Sequence, residues 1–256
     1  MKDPTQRFSS KVENYERYRP EYPAAVLESL REDCGLSPNS VVADVGSGTG
    51  ILSRMFLEHG CRVFGVETNE KMRRAGKRLL AGYERFESVA ATAEATTLAS
   101  ASVDFVTAGQ AFHWFDPAGA RAEFGRILKP ESWVMLVWNF PKMDGSAFRA
   151  DYQGMLEVYG TDFEAVKARN QSMEQRLRTF FEPHDYETRV FENWQTLDFD
   201  GLRGRLLSSS YVPDKEEPGH AEMLKELTRV FTRHEENGVV HVGYDTRAYY
   251  GQLARR

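Results

Sequence analysis

The stretch VVADVGSGTG at residues 41–50 decides the fold. Its first half is a short apolar run rich in β-branched valine, which is typical of a buried strand. Glycine then occupies positions 46, 48 and 50, and ILSRMFLEHG at 51–60 follows with the apolar spacing of a helix. A strand, a glycine turn and a helix in this order open a nucleotide-binding α/β unit.

Strands and helices alternate from the N-terminal part of the chain to residue 138, which predicts a parallel sheet with helices on both faces. The predicted strands are 41–45, 61–67, 86–90, 102–109, 133–138, 188–199 and 239–253. The predicted helices are 24–32, 51–60, 70–80 and 117–129, with more helix within 141–183 and 200–236. The fold class is therefore α/β: a Rossmann-like, doubly wound, seven-stranded, mostly parallel sheet with a helical cap and a C-terminal antiparallel edge hairpin.

The spacing of the glycines indicates which nucleotide the turn can hold. A dinucleotide-binding GxGxxG turn needs a third glycine where this chain has Ile51, and a phosphate-binding Walker loop needs a Gly-Lys-Ser/Thr ending that is absent from it. Glu67 ends the second predicted strand, about 20 residues after the first glycine, where a carboxylate holds the ribose hydroxyls of a nucleotide. The turn therefore favours a nucleoside ligand over a pyrophosphate.

The composition excludes several classes of protein. The chain has 256 residues, 41% of them hydrophobic and 28% charged, which fits an ordinary globular protein. Its formal net charge of −5 argues against a general nucleic-acid binder. Its cysteines, Cys34 and Cys61, lie far apart without a histidine pair, so we expect no metal site and no disulfide framework. We also expect no signal peptide, no membrane segment and a cytoplasmic location.

Longer motifs resemble one family. The sequences VVADVGSGTG (41–50) and VFGVETNEKM (63–72) resemble the first two motifs of the class I S-adenosylmethionine-dependent methyltransferases. The segment AATAEATTLASASVDFVTAGQAFHWFD (90–116) resembles the adenine-side motif and fourth strand of that family. Three segments resemble the small-molecule branch of the family, which includes methyltransferase type 11 and trans-aconitate methyltransferase-like enzymes. They are AFHWFD (111–116), RFSSKVENYERYRPEYP (7–23) and SSSYVP (208–213).

The resemblance implies a division of the chain and a set of cofactor contacts. Residues 1–256 would form a single methyltransferase domain, with a lid at 1–22, a cofactor-binding core at 36–140 and a helical substrate cap at 141–186 and 200–237. The cofactor would be S-adenosyl-L-methionine. Its implied contacts are Asp44, Gly46, Ser47, Gly48, Glu67, Thr68, Met72, Ala93, Glu94 and Gln110.

Two of these contacts have an equally good structural interpretation. Asp44 would lie near the cofactor's ammonium group, or it would cap the glycine turn through backbone N–H groups. Met72 would stack on the adenine, or it would be a core residue of its helix. The amides of the turn itself would meet the methionine carboxylate at the start of the helix.

The acceptor site is less well defined by the sequence. His113 is the candidate catalytic residue, as a base or orienting donor, with a structural histidine as the alternative. The lid offers Tyr15 and Arg19, and the cap offers Arg203, Arg205 and Tyr211. The acceptor-binding set is predicted to be Tyr15, Arg19, His113, Trp114, Arg203 and Tyr211, with solvated arginines as the alternative for the cap.

The predicted function is transfer of a methyl group from S-adenosylmethionine to a small-molecule acceptor, with a carboxylic acid as the candidate class. The alternatives are methylation of RNA or protein, and cofactor binding without turnover. An NAD-dependent oxidoreductase is disfavoured because the turn lacks the third glycine and no Tyr-x-x-x-Lys pair is recognisable. We expect neither nucleic-acid nor membrane partners, and a monomer or homodimer.

Overall fold

A computed structural model describes residues 11–143, 145–161, 163 and 173–254. Its strands are β1 (Val41–Val45), β2 (Arg62–Val66), β3 (Phe86–Val89), β4 (Val103–Gly109), β5 (Leu128–Pro141), β6 (Tyr186–Leu197) and β7 (Val240–Gly251). Its helices up to the last parallel strand are α1 (Val12–Tyr18), α2 (Ala24–Cys34), α3 (Ile51–Glu58), α4 (Glu70–Leu79) and α5 (Pro117–Ile127). They are followed by α6 (Ala147–Tyr159), α7 (Met173–Phe181), α8 (Phe199–Leu207) and α9 (His220–His234).

The strands form one seven-stranded sheet in the order β3-β2-β1-β4-β5-β7-β6. The first five strands run parallel, and β7 runs antiparallel to both β5 and β6. Strand order reverses between β1 and β4, and ligands of open α/β sheets bind at the carboxyl ends of strands beside such a switch. The predicted Rossmann-like fold with its antiparallel final pair is confirmed.

Some element boundaries differ from the prediction. The helix predicted over 117–129 ends at Ile127, because Pro130 disfavours helical backbone in the residue before it. The strand predicted over 133–138 runs from Leu128 to Pro141. Helix α1 was not predicted, since its polar and aromatic sequence VENYERY buries no residue fully and so lacks a clear apolar period.

The core lies on both faces of the sheet. One face carries Phe124, Ile127 and the aromatic side chains of α7, and the other carries the apolar residues of α2 and α3. The central parallel strands β1, β4 and β5 are therefore buried on both sides, which explains the uninterrupted apolar run of β5, whereas edge strand β3 has no fully buried residue. Among the described helices, none is both long and apolar enough to cross a membrane.

A third apolar cluster joins helices α6, α8 and α9 to the ends of β6 and β7. Its buried members include Met155, Leu202, Leu206 and Leu227. We refer to these three helices as the cap helices. Tyr211, which follows α8, packs against the same cluster. The segment 141–186 that was assigned to a cap also contains α7, whose buried side chains pack in the sheet's core instead.

Helix α1 packs against cap helix α8. A Cβ atom at Gly204 would lie 2.1 Å from Tyr18, so only glycine permits this close approach. Lys11 donates to the Val212 carbonyl oxygen and pairs with Asp214 at 3.1 Å. Residues 1–10 of the predicted lid lie outside the described residues, as do 144, 162 and 164–172 of the predicted cap.

Candidate cofactor and acceptor sites

The glycine turn follows β1 at the carboxyl edge of the sheet. Gly46, Gly48 and Gly50 have φ values of 71°, 57° and 88°, in the left-handed region that favours glycine. A Cβ atom at Gly46 would also lie 2.5 Å from the Cβ atom of Ala111. The sequence therefore places glycine here for backbone conformation and for close packing at once.

The amides of this turn are bonded within the protein. Those of Gly46 and Ser47 both donate to the Val66 carbonyl oxygen, at 2.8 and 3.1 Å, and that of Gly48 donates to Glu67 Oε2 at 2.9 Å. These amides therefore have protein acceptors in this structure, and their contact with the methionine carboxylate stays a prediction.

Glu67 joins the turn to the end of β2. Its Oε1 accepts from the backbone N–H of Asn69 at 2.7 Å, while its Oε2 accepts from Gly48. Burial raises the pKa of this carboxyl, and the backbone donors Asn69, Gly48 and Thr68 oppose the rise, as does the charge of Arg73. A carboxylate held in this way at the end of β2 suits a pair of ribose hydroxyls.

Asp44 is almost completely buried in β1. Its carboxylate accepts from Ser53 Oγ at 2.6 Å and from Thr107 Oγ1 at 3.4 Å. Burial raises its pKa to about 7, although these bonds oppose the rise. The interpretation of Asp44 as the cap of the glycine turn is wrong, because Val66 and Glu67 accept the turn's amides.

A cleft opens above the turn, with an empty volume of about 410 Å³ that includes space open to solvent. We call it the cofactor cleft. It brings together the turn, the end of β4 and the chain that follows α1. Its described lining residues are Tyr15, Arg19, Pro20, Tyr22, Asp44, Gly46, Ser47, Ile51, Leu52, Gly109 and Gln110.

Arg19 lies in this cleft rather than in the acceptor pocket. Its Nη2 donates to the Ser208 carbonyl oxygen at 2.8 Å, and its guanidinium lies 4.8 Å from the centre of the Tyr15 ring. Its Nε is buried without a hydrogen-bond partner among the described residues. Burial and the nearby charge of Arg205 lower the pKa of Arg19. A buried guanidinium with an unused donor, in a cleft, suits an anionic group of a ligand.

Of the other predicted cofactor contacts, Gln110 lines the cleft, and Met72, Ala93, Thr68 and Glu94 are not among its described lining residues. Gln110 has a left-handed φ of 56°, and its backbone amide donates to Val137 at 2.9 Å. Met72 is buried, with its Cε 3.3 Å from the position of a Cβ atom at Gly48, so it packs beneath the turn. Ala93 is buried, whereas Thr68 is exposed.

Glu94 is also exposed, and it has a structural partner. Its Oε1 accepts from the backbone N–H of Asp116 at 2.9 Å, and Asp116 in turn caps the start of α5. Glu94 therefore ties the segment after β3 to the start of that helix.

His113 and Trp114 lie in a 3-10 turn, Phe112–Trp114, after β4. Their ring centres are 4.6 Å apart, and both side chains are half-buried. Neither residue is among the described residues that line the cofactor cleft or the neighbouring pocket. The structure thus places both residues outside the described linings of the two sites, and a catalytic role of His113 stays a prediction.

A second pocket lies between the cap helices and the ends of β5 and β7, and we call it the cap pocket. Its empty volume is about 620 Å³, again including space open to solvent. Its described lining residues are Pro141, Lys142, Ser146, Phe148, Arg149, Tyr152, Leu156, Phe163, Leu202, Arg205, Tyr211, His241, Val242, Gly243 and Tyr244. Tyr211 is the one predicted acceptor residue among them.

Of the two cap arginines that the sequence offered, Arg205 lines this pocket and Arg203, which was placed in the acceptor-binding set, does not. Arg203 has a side chain that is 48% exposed and pairs with Asp200 at 3.0 Å. Arg205 donates from Nε to the Tyr244 hydroxyl at 3.1 Å and from Nη1 to Ser209 Oγ at 3.2 Å. Two residues along a helix turn the side chain through about 200°, so the two arginines face opposite ways.

Sequence reasoning missed Arg149, Tyr152 and Tyr244 of the cap pocket. Arg149 and Tyr152 lie three residues apart on α6, so they share one face of that helix. That spacing was the available signal, but many surface helices carry it. Tyr244 lies in β7, where alternation indicates a buried side chain without indicating a pocket.

Comparisons with known proteins agree with the fold. Residues 43–136 match the family model described as methyltransferase domain. An uncharacterized methyltransferase of Mycobacterium tuberculosis is 36% identical over 138 residues, or 54% of each chain. The chain spans about half the length of the curated relatives that it matches.

Solved structures resemble nearly the whole chain. A candidate type II methyltransferase from Anaeromyxobacter dehalogenans has a TM-score of 0.68 at 24% identity, covering 93% of this chain and 100% of that one. A phosphoethanolamine N-methyltransferase from Haemonchus contortus, in complex with phosphomonomethylethanolamine and S-adenosylhomocysteine, has a TM-score of 0.55 at 13% identity. That match covers 97% of this chain and 58% of the other. At these identities the likeness establishes the fold.

Residues 43–136 carry a methyltransferase domain, and they contain the glycine turn with Glu67. The seven-stranded sheet has the Rossmann-like fold of the class I S-adenosylmethionine-dependent methyltransferases, which the sequence resembles. S-adenosylmethionine is the cofactor of this class.

Proposed function

We propose that this protein binds S-adenosylmethionine in the cofactor cleft and transfers its methyl group to a small carboxylic acid in the cap pocket. The observation that carries the proposal is the meeting of Asp44, the glycine turn and the unused Arg19 donor in one cleft. The carboxylate would pair with an ammonium, and the guanidinium would pair with a carboxylate. An amino acid carries both of these groups.

The remaining contacts follow from this placement. Arg19 would hold the methionine carboxylate, Asp44 the ammonium and Glu67 the two ribose hydroxyls. Met72, Ala93 and Glu94 stay the candidates for the adenine end, with Gln110 and Thr68 beside them. The contacts of Glu67 with Gly48 and Asn69 would orient its carboxylate before the ligand arrives.

The chemistry asks little of acid and base residues. When bound, S-adenosylmethionine supplies a methyl group on a sulfonium: an acceptor lone pair forms the new bond, and the carbon–sulfur pair leaves to sulfur as S-adenosylhomocysteine. A carboxylate acceptor is already ionised at neutral pH, so no proton has to be removed from it. The chain's contribution is then positioning and exclusion of water. His113 would serve as a base only for a hydroxyl or amine acceptor.

The test is a calorimetric titration with S-adenosylmethionine, S-adenosylhomocysteine and NADH. We expect the two adenosyl ligands to bind and NADH not to bind. At a hundredfold excess over Kd, the bound ligand should add about 2.7 kcal/mol to the free energy of unfolding. Binding of NADH alone, or of none of the three, would overturn the proposal.

Two variants make the titration specific. Glu67→Ala removes the proposed ribose contact and the bond to the turn, and we expect at least a tenfold loss of affinity, corresponding to about 1.4 kcal/mol. Glu70→Ala is the matched control, because this nearby carboxylate is 62% exposed and pairs with Arg74. Binding without methyl transfer to any of a panel of carboxylic acids would favour a non-catalytic role.

A further inference from the structure

The cap pocket contains positive charge that no carboxylate neutralises. Arg149 and Arg205 both line it, and neither forms an ion pair with a described carboxylate. The Nε of Arg149 is buried without a hydrogen-bond partner among the described residues. No aspartate or glutamate is among the described lining residues. Because buried charges in proteins are normally paired, this arrangement suits an anion that enters the pocket.

A further contact links this charge to the cofactor cleft. The charge of Arg205 lowers the pKa of Arg19, so the two guanidinium groups lie close enough to repel each other. Both contact the same end of α8: Arg19 donates to the Ser208 carbonyl oxygen, and Arg205 donates to Ser209 Oγ. The cap pocket therefore adjoins the cofactor cleft at Arg205, and an anion there would relieve the repulsion.

Aromatic side chains form the walls of the pocket. The ring centres of Phe148 and Tyr152 are 5.7 Å apart, and those of Phe163 and Tyr211 are 5.3 Å apart. Burial raises the pKa of Tyr152, so its hydroxyl stays neutral and adds no negative charge. Walls of this kind favour a flat, unsaturated ligand, which can make face and edge contacts with several rings at once.

We propose that the cap pocket binds an aromatic carboxylate as the methyl acceptor. Its carboxylate lies against Arg205, where the pocket adjoins the cofactor cleft, and its ring lies among Phe148, Tyr152, Phe163 and Tyr211. This inference rests on the proposed function and narrows its acceptor class. Arg149 supplies a second cation in the same pocket.

The test is a calorimetric titration with cinnamate, run both with and without saturating S-adenosylhomocysteine. Cinnamamide is an uncharged analogue of cinnamate and tests the contact with the carboxylate. Cyclohexanepropionate is a charged analogue without an aromatic ring and tests the contact with the ring. Glutarate tests a flexible aliphatic diacid. We expect cinnamate to bind at least tenfold more tightly than cinnamamide, and more tightly than either aliphatic acid.

The variants separate the pocket from the surface. Arg205→Met and Arg149→Met should each weaken cinnamate binding at least tenfold. In Arg149→Met, whose arginine is not among the described lining residues of the cofactor cleft, the affinity for S-adenosylhomocysteine should change less than threefold. Arg203→Met is the matched control, because this arginine lies on the same helix but faces solvent. Arg205→Lys keeps the charge without the forked donors and should give an intermediate loss. The melting temperature of each variant shows whether it has folded. If Arg205→Met does not fold, Arg149→Met, on a different helix, still tests whether the pocket binds an anion.

Each outcome is decisive for the inference. Equal affinity for cinnamate and cinnamamide, or equal loss in Arg203→Met and Arg205→Met, overturns the anionic contact. Tighter binding of glutarate or cyclohexanepropionate overturns the aromatic contact. Failure of S-adenosylhomocysteine to bind overturns the proposed function instead, while the cinnamate titration without it still tests the pocket.

Discussion

The cofactor cleft and the cap pocket are built in different ways. The glycine turn of the cleft is held mainly by backbone groups. The Val66 carbonyl accepts two of its amides, and the Glu67 carboxylate accepts the backbone amides of Gly48 and Asn69. The cap pocket comes from side chains of α6, α8 and β7, which lie up to about a hundred residues apart in the chain. A site built from backbone can be predicted from a short motif, because each residue type follows from a local conformation. A site made of distant side chains leaves no such motif.

The largest effect should come from closing the cleft at Gly46. Gly46→Ala forces a side chain into a left-handed φ of 71° and places its Cβ atom 2.5 Å from Ala111. The conformational strain alone is about 1–2 kcal/mol, and the clash adds to it. We expect loss of measurable binding of S-adenosylhomocysteine by calorimetry.

Gly35→Ala is the matched control for this substitution. Gly35 has a similar φ of 70°, but a Cβ atom there would meet no atom within 4 Å. It should lower the melting temperature and leave cofactor affinity unchanged. An equal loss of affinity in the two variants would show that strain, rather than closure of the cleft, explains the result.

An intermediate effect is expected at Arg19, where the two sites adjoin. Arg19→Met removes the charge proposed to hold the cofactor's carboxylate, and charge-assisted hydrogen bonds contribute about 1.5–3 kcal/mol. We therefore expect affinity for S-adenosylmethionine to fall by roughly 10- to 100-fold. Arg17→Met, at an exposed position in the last turn of α1, should change nothing in the same titration. An unchanged affinity for the cofactor with a weaker affinity for cinnamate would move Arg19 from the cleft to the cap pocket.

The smallest effect is a pH dependence confined to the cleft. Because the pKa of Asp44 is raised to about 7, the carboxylate that would pair with the cofactor's ammonium is mostly protonated at pH 6. Affinity for S-adenosylmethionine should weaken by up to roughly tenfold from pH 8 to pH 6. Cinnamate affinity should not follow this profile, since cinnamate and the arginines stay charged throughout.

The same group affects the stability of the protein without ligand, with the opposite sign. Between the ordinary carboxyl pKa and about 7, the folded state binds more protons than the unfolded state. The free energy of unfolding should therefore fall as pH rises through that range. Asp44→Asn should remove both trends, in calorimetry and in thermal melts. A binding profile that stays unchanged in this variant would exclude Asp44 as its source.

The fold was largely predictable because its signals are periodic. Alternating strands and helices, the glycine turn and the position of Glu67 were sufficient for the sheet and for the start of the cofactor site. The protein acceptors of the turn's amides were not predictable, since the sequence does not show that Val66 reaches across from β2 to accept two of them. Likewise, the helical phase that distinguishes Arg203 from Arg205 depends on where α8 begins and which face it buries.

By itself, the sequence determined the class of fold, the glycine conformations and the carboxylate at the end of β2, because each follows from short-range geometry. The tertiary structure decided that Arg19 enters the cofactor cleft and that Arg149, Arg205 and five phenylalanine and tyrosine side chains line one pocket. The physical reason is that burial, pKa and unpaired charge depend on which distant segments pack together. Those properties select the ligand, and they exist only once the chain has folded.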